Sequence, residues 1–503
     1  MSHAPVIVVG AGLGGLSAAI RLRLAGYDVV VYERLPEVGG RANVWESEGF
    51  RFDTGPTLLL MTEYVRGLFE ASDRRVEDYL DIRQLDPNYR IAFADGSDLV
   101  LGSRLNALLD EVERIEAGAG GKLLQFLAET RRLYQIGLRD FVDRNFLKAG
   151  SFFSLQNLGL LLTARVTQKL YKMVSRYFKD ERLRRAFSFQ SMYLGLSPYD
   201  SPAIYSLLPY TEMGGGLFFP MGGMHALPKA LARLARDLGV VIHVETEVQA
   251  ILKDAKSVRG VRLQSGEEVA ASVVVVNADL PFAYRQLLNE PHPRSESFNY
   301  TCGAFLMFLG VKKRYPKLLH HTLVVPKDLP ANMDAIFKTR RVPADPAYYI
   351  CNPSKTDPSL APDGCENIYI LVPVPHEAEG VDWGIEGPRL REAMLDRLER
   401  FGLTDLRENI VTEKILTPRE FRTELYCEKG AAFGLAHGMD QVGYLRPHNR
   451  HASLENLYFV GASTHPGTGI PMVLISGRLV AERIALEQPV SSKRAREPEL
   501  VSL

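Results

Sequence analysis

The chain has 503 residues, is 46% hydrophobic and 24% charged, and carries 60 basic and 60 acidic residues. This is the composition of a globular protein long enough for more than one domain, and its zero formal charge provides no field that would recruit nucleic acid. The four cysteines (Cys302, Cys351, Cys365, Cys427) lie far apart with no C-x-x-C pair, so they read as free thiols in a reducing compartment, and no metal site is expected.

The N-terminus enters a strand directly, without the charged and apolar regions of a secretory signal. No uncharged apolar run approaches the roughly 20 residues that a membrane-spanning helix needs. The expectation is a cytoplasmic protein that can lie on a membrane without crossing it.

The first elements carry the most information. Val6–Val9 is a short apolar strand, Leu16–Leu24 has helical spacing, and Tyr27–Tyr32 is a second strand ending in Glu33. Between the first strand and the helix stand Gly10, Gly12 and Gly15, a G-x-G-x-x-G loop that includes Leu13 and Gly14. These glycines permit a tight turn, a close backbone approach to a pyrophosphate, and close packing of helix on strand. The helix N-terminus presents unpaired N–H groups to the phosphates. Glu33 follows at the distance where a carboxylate accepts from ribose hydroxyls. Arg34 and then Gly39, Gly40 and Arg41 bring backbone and a guanidinium back toward the same ligand.

From Arg104 to about Arg185 the spacing predicts mostly helix, with a helix-to-helix turn at Gly118–Gly121 rather than a second dinucleotide loop. With one such loop, no bound nicotinamide is expected. Residues 151–185 join aromatic to basic side chains and read either as an interfacial membrane helix or as a lid with a solvated face. A glycine-rich loop, a helix and a strand follow over 213–251, then a hairpin turning near Gly266 and a buried strand through 281. The last residues, 491–503, read as a flexible tail.

The order Glu33-Arg34, Gly39-Gly40-Arg41 and the segment Phe50–Thr57 resembles flavoproteins of the amine oxidase and phytoene desaturase type, which implies FAD. Several further segments are similar to bacterial-type phytoene desaturases: 186–198, 218–224, 357–376, 444–450 and, most specifically, Asn456–Gly477. The resemblance covers nearly the whole chain. It implies an α/β fold with a Rossmann-like FAD-binding domain, an interleaved substrate domain and a helical membrane-associating region. The implied FAD-binding domain is 1–100, 214–284 and 420–490, and the substrate domain 101–213 and 285–419.

The cofactor-binding residues implied are Gly10, Gly12, Leu13, Gly14, Gly15, Glu33, Arg34, Gly40, Arg41, Gly55, Pro56, Thr57, Val248, Gly461, Ala462, Gly469, Ile470 and Met472. Pro471 suits the first turn of the helix that begins there. His465 reads as a turn histidine packed near the cofactor rather than a base.

The implied activity is removal of two hydrogens from an acyclic carotenoid such as phytoene, with oxygen or a quinone reoxidising the flavin at a membrane surface. A late-step 3,4-desaturase, or a flavin-dependent carotenoid isomerase or saturase, remains the alternative, and a non-catalytic carrier is the bland one. No catalytic dyad is legible. Glu212 is the carboxylate to test first, against a structural role.

Overall fold

The computed structural model describes residues 4–155, 157, 159–160, 167–377 and 380–490. The expected tail at 491–503 and part of the 151–185 segment lie outside them. The first lobe is built on a five-stranded parallel sheet whose order is Leu457–Phe459, Val273–Val276, Val6–Val9, Val29–Tyr32 and Val241–His243. Its central strands are almost pure valine and are buried on both faces, as parallel strands covered on two sides require.

Alternation along the first strand divides that cover. Val6 and Val8 pack on helices, while Ile7 and Val9 pack on a three-stranded antiparallel meander formed by Val248–Lys253, Val258–Leu263 and Glu268–Ala270. The chain therefore returns to its first sheet from three distant regions. The last return, Leu457–Phe459, leads through a turn into the helix Ile470–Glu487.

The second lobe is a seven-stranded sheet with the nine-residue strand Gly303–Val311 near one edge, buried along its full length. Phe305, Met307 and Leu309 face the helix Trp383–Phe401, whereas Leu306 and Phe308 face Phe50 and Phe52 of the first lobe. The far edge is Tyr89–Phe93 and Asp98–Leu101, joined in parallel through His321–Val325. The expected boundary at residue 100 is thus displaced: the end of the 1–100 segment supplies two strands to the other lobe. Sequence periodicity could not show this, because it contains no information about which strand a given strand joins.

The stretch expected to be mostly helical is broken into pieces. Helices Leu105–Ile115 and Ala119–Ile136 meet at Gly118, which holds φ +81°, and the second runs into a π-helical turn at Gly137–Val142. Among the described residues, short helices follow at Ala149–Phe152, Leu170–Val174 and Glu181–Ala186. Among the described residues, no helix is long and apolar enough to cross a membrane.

Candidate active site

The glycine loop leaves the first strand and turns immediately into the helix Leu13–Leu24. That helix starts at Gly12 with no side-chain cap, so its first amides are open. The helix Ile470–Glu487 likewise starts at Gly469 without a side-chain cap and carries Pro471 in its first turn. Both starts line one cavity, together with Gly39, Gly40, Arg41, Gly461 and Ala462. Two uncapped helix N-termini converge on glycine-surfaced backbone, an arrangement that holds anionic groups by N–H donors and positive dipole ends.

Close packing makes the glycines necessary. A Cβ on Gly15 would sit 2.1 Å from the Gly10 carbonyl oxygen. The two helices touch where Ser17 Oγ donates to the Leu474 carbonyl at 2.9 Å, and a Cβ on Gly477 would fall 2.5 Å from that hydroxyl. At the centre lies Asn277, at the end of the strand Val273–Val276. Its Nδ2 donates to the Gly10 carbonyl at 3.3 Å, and its amide lies against Gly12, Gly14 and Gly461 at once. Asn277, placed by the sequence only as part of the segment closing this lobe, is the wedge that sets the spacing of the whole cradle.

Glu33 is buried, with Oε2 accepting from the Ala11 amide at 2.7 Å and Oε1 from the Leu35 amide at 2.9 Å. Burial raises its pKa, against those two amide bonds. The carboxylate thus holds the glycine loop in shape, and its remaining lone pairs can accept from a ribose. Arg34 turns away from the large cavity: its guanidinium lies 4.3 Å over the Tyr426 ring and donates to the Glu424 carbonyl. Val248 lines a separate, smaller cavity of about 300 Å³ beside Tyr426 and Phe282.

Two carboxylates organise the neighbouring loop. Asp53 accepts from the Met224 and His225 amides at 2.7 and 2.9 Å, and Asp357 accepts from the Gly222 amide at 2.6 Å. Burial pushes Asp53 up to about 6. These contacts join three segments that the sequence showed only as separate matches, and they set the approach of Thr54–Thr57 to the cavity. The Tyr349 hydroxyl donates to Thr57 Oγ1 at 2.9 Å and so accepts from His321 Nδ1 at 2.6 Å. Burial, then the neighbouring His320, holds His321 well below the usual histidine range.

Beneath the Gly461–Gly469 turn lies Arg446, 1% exposed. Its five bonds all go to backbone carbonyls: Ala462 (2.6 Å), Thr464 (3.0 Å), Ala436 (3.1 Å), Gln441 (3.2 Å) and Leu435 (3.3 Å). Burial lowers this guanidinium to about 10. It ties the turn to the loop 435–441, and with it His437, whose Nε2 accepts from the Thr468 amide at 3.1 Å. His465 lines the cavity, packs edge-on to Phe146 at 5.6 Å, and is lowered to about 4 by burial, the behaviour of a packed neutral histidine.

The whole cavity, cradle included, has a volume of about 730 Å³. Among the described residues its lining contains no Asp, Glu or Lys, and Arg41 is the one Arg, at the cradle end. Most of the rest is aromatic and aliphatic, with Phe141, Phe152, Phe153, Phe189 and Met192 among it, and Thr57, Thr211, Asn277 and His465 are polar exceptions. Phe153 is 49% exposed and Met439 40%, so the cavity reaches solvent beside them, next to Leu155 at 89%. Glu212 stands one layer behind the wall. It is fully buried and accepts from the Tyr89 hydroxyl at 2.7 Å and Gln190 Nε2 at 3.3 Å.

Of the expected cofactor residues, Gly12, Leu13, Gly14, Gly40, Arg41, Gly55, Pro56, Thr57, Gly461, Ala462, Gly469, Ile470 and Met472 line the large cavity together. Gly10 and Gly15 support the loop from behind. Sequence reasoning missed the roles of Asn277, Arg446 and the Tyr349–His321 pair. Arg446 lies inside a segment that had matched as a family signature, but an arginine in a loop gives no local sign of burial.

Residues 13–485 match the family of flavin containing amine oxidoreductases. A zeta-carotene-forming phytoene desaturase of Myxococcus xanthus is 46% identical, over 95% of this chain and 93% of that one. A 4,4'-diapophytoene desaturase (4,4'-diapolycopene-forming) of Methylomonas sp is 37% identical, over 97% and 96%. Among solved structures, putrescine oxidase bound to putrescine shares the fold at TM-score 0.63 with 14% identity, covering 96% of this chain and 99% of that one. The glycine cradle, the two helix ends and the Glu33 position fit FAD, and with these matches the chain belongs to the phytoene desaturase-type branch of the FAD-dependent amine oxidoreductases.

Proposed function

We propose that the protein desaturates an acyclic carotenoid of the phytoene type, which it draws from a membrane surface. The observation that carries this reading is the cavity: one end is the glycine-surfaced cofactor cradle, and beyond it the described lining is mostly aromatic and aliphatic. Bound FAD supplies the two-electron acceptor, chemistry that belongs to the cofactor rather than to side chains.

The chain's own residues bind, orient and exclude water. Apolar substrate gains roughly 0.8 kcal/mol per buried CH₂, so a long hydrocarbon with no polar group can be held without any hydrogen bond. Phe189, Met192 and Leu371 offer that surface on the cavity wall. Thr57, fixed by Tyr349, and the start of the helix Ile470–Glu487 hold the cofactor end in register with it. The two relatives named above are a zeta-carotene-forming phytoene desaturase and a 4,4'-diapophytoene desaturase, which supports the same substrate class here.

An insoluble substrate needs a route from a bilayer. Leu147, Phe153 and Leu155 are exposed at 44%, 49% and 89%, and Phe153 also lines the cavity. These exposed apolar side chains beside the cavity support an interfacial contact there. Oxygen or a quinone would then reoxidise the flavin.

The test is anaerobic addition of phytoene-loaded liposomes to the FAD-loaded protein. Bleaching of the flavin band with formation of a more conjugated polyene is expected, and no bleaching with any acyclic carotenoid would sink the reading. Phe153→Asp with Leu155→Asp should lower liposome sedimentation several-fold; unchanged sedimentation removes the membrane contact.

A further inference from the structure

Desaturation also releases one proton, and among the described residues no carboxylate lines the cavity to take it. Behind the wall, Glu212 sits on the helix Leu207–Gly215 with no exposure, and one carboxylate oxygen, Oε1, accepts no hydrogen bond. A buried oxygen without a partner requires an explanation. The groups that face it are Tyr89 from the strand Tyr89–Phe93, and Gln190 and Tyr193 from the turn Phe189–Leu194. Gln190 Nε2 also reaches the Tyr89 hydroxyl at 3.2 Å and the Ala186 carbonyl at 3.0 Å, so its orientation is set. Asn88 Nδ2 holds the backbone carbonyl of Glu212 at 3.1 Å. No Lys, Arg or His acts on this carboxyl, and Tyr349 is the further ionisable group acting on Tyr193.

Tyr89 and Tyr193 differ from the rest of the cluster in that both also line the cavity. A phenol thus lies between the substrate space and a carboxylate that has no cationic partner. Were Glu212 a structural group only, an uncharged glutamine or a methionine would fill the space without the cost of burying an ionisable acid.

We infer that Glu212 is the final acceptor of the proton released in desaturation, reached from the substrate through the Tyr193 hydroxyl on the cavity wall. The inference rests on the carotenoid desaturase reading. Bound FAD would supply the hydride acceptor for one substrate C–H bond, which breaks with its electron pair. The adjacent C–H bond then breaks, and its electron pair becomes the second bond of the new C=C. That proton passes to the Tyr193 oxygen as the Tyr193 O–H proton passes to Glu212 Oε1. Tyr193 ends unchanged, Glu212 ends as a neutral acid, and the substrate has lost two electrons and two protons in total. Burial, opposed by the neighbouring hydroxyls of Tyr89 and Tyr193 and the Gln190 amide, raises Glu212 to about 7, so a large fraction is ionised and able to accept near neutrality.

The experiment uses FAD-loaded protein and phytoene liposomes under anaerobic single-turnover conditions, with the flavin absorbance followed from pH 5.5 to 8.5. The wild-type rate should rise with pH through about 7. Glu212→Gln should be slower by about 100-fold, the usual scale of a lost general base, and its pH profile flat. Tyr193→Phe should lose as much, and the double variant no more. Difference infrared spectra of the wild type should show a carboxylic acid C=O band appearing with substrate oxidation, absent in Glu212→Gln. Equal rates and equal pH profiles for wild type and Glu212→Gln overturn the relay, as does a wild-type spectrum without the band, which holds even if the variant fails to fold. A wild type that does not bleach at all overturns the desaturase reading and the relay together.

Discussion

Replacing Gly461 by alanine tests the cradle where the two ends of the chain meet. Gly461 holds φ +104°, and a Cβ there would lie 2.7 Å from Asn277 Oδ1. The backbone strain alone costs about 1–3 kcal/mol for a residue with a side chain. The Asn277 amide cannot simply step aside, since it is also close to Gly12 and Gly14, where a Cβ would lie 2.8 Å from its Nδ2 and 2.9 Å from its Oδ1. Moving it gives up the bond to the Gly10 carbonyl, worth about 1 kcal/mol. The expected loss is therefore about 2–4 kcal/mol, read by chemical denaturation of the apoprotein, with FAD occupancy falling in parallel.

A double-mutant cycle separates the two parts. Asn277→Ala alone should cost about 1 kcal/mol, and in the Gly461→Ala background it should relieve the clash, so that the double variant loses less than the sum by about 1 kcal/mol. Additivity to within about 0.5 kcal/mol would refute Asn277 as the wedge. A Gly461→Ala cost below about 1 kcal/mol would refute the strain argument itself.

Gly15→Ala places a Cβ 2.1 Å from the Gly10 oxygen, backbone against backbone, so FAD should be lost on gel filtration; full flavin content would contradict the packing. Arg446→Lys keeps the charge but strands several of the five buried carbonyls, and should cost about 3–5 kcal/mol in thermal unfolding; an unchanged melting temperature would count against the clamp. Glu212 also predicts a stability profile: its folded pKa is raised from 4.5 to about 7, so the folded state retains a proton that the unfolded chain releases. Stability should then fall between pH 4.5 and about 7, by up to about 3 kcal/mol, and level off above. Glu212→Gln should flatten that fall, and a wild-type slope kept in the variant would show that other groups cause it.

Local chemistry was readable wherever short-range geometry forces the residue. The strand Val6–Val9, the glycine turn that follows it and the helix start at Ile470 were expected from spacing, composition and the family resemblance, and are observed. Each depends on backbone that has no other way to turn or to approach a ligand, so the residue types declare it. The displaced boundary near residue 100, the Asn277 wedge, the carbonyl-bound Arg446 and the tyrosines around Glu212 were decided by tertiary structure. They join segments separated by up to hundreds of residues. Burial and partner choice are properties of the packed interior, and an asparagine, an arginine or a glutamate looks the same in the chain whether it faces solvent or the core.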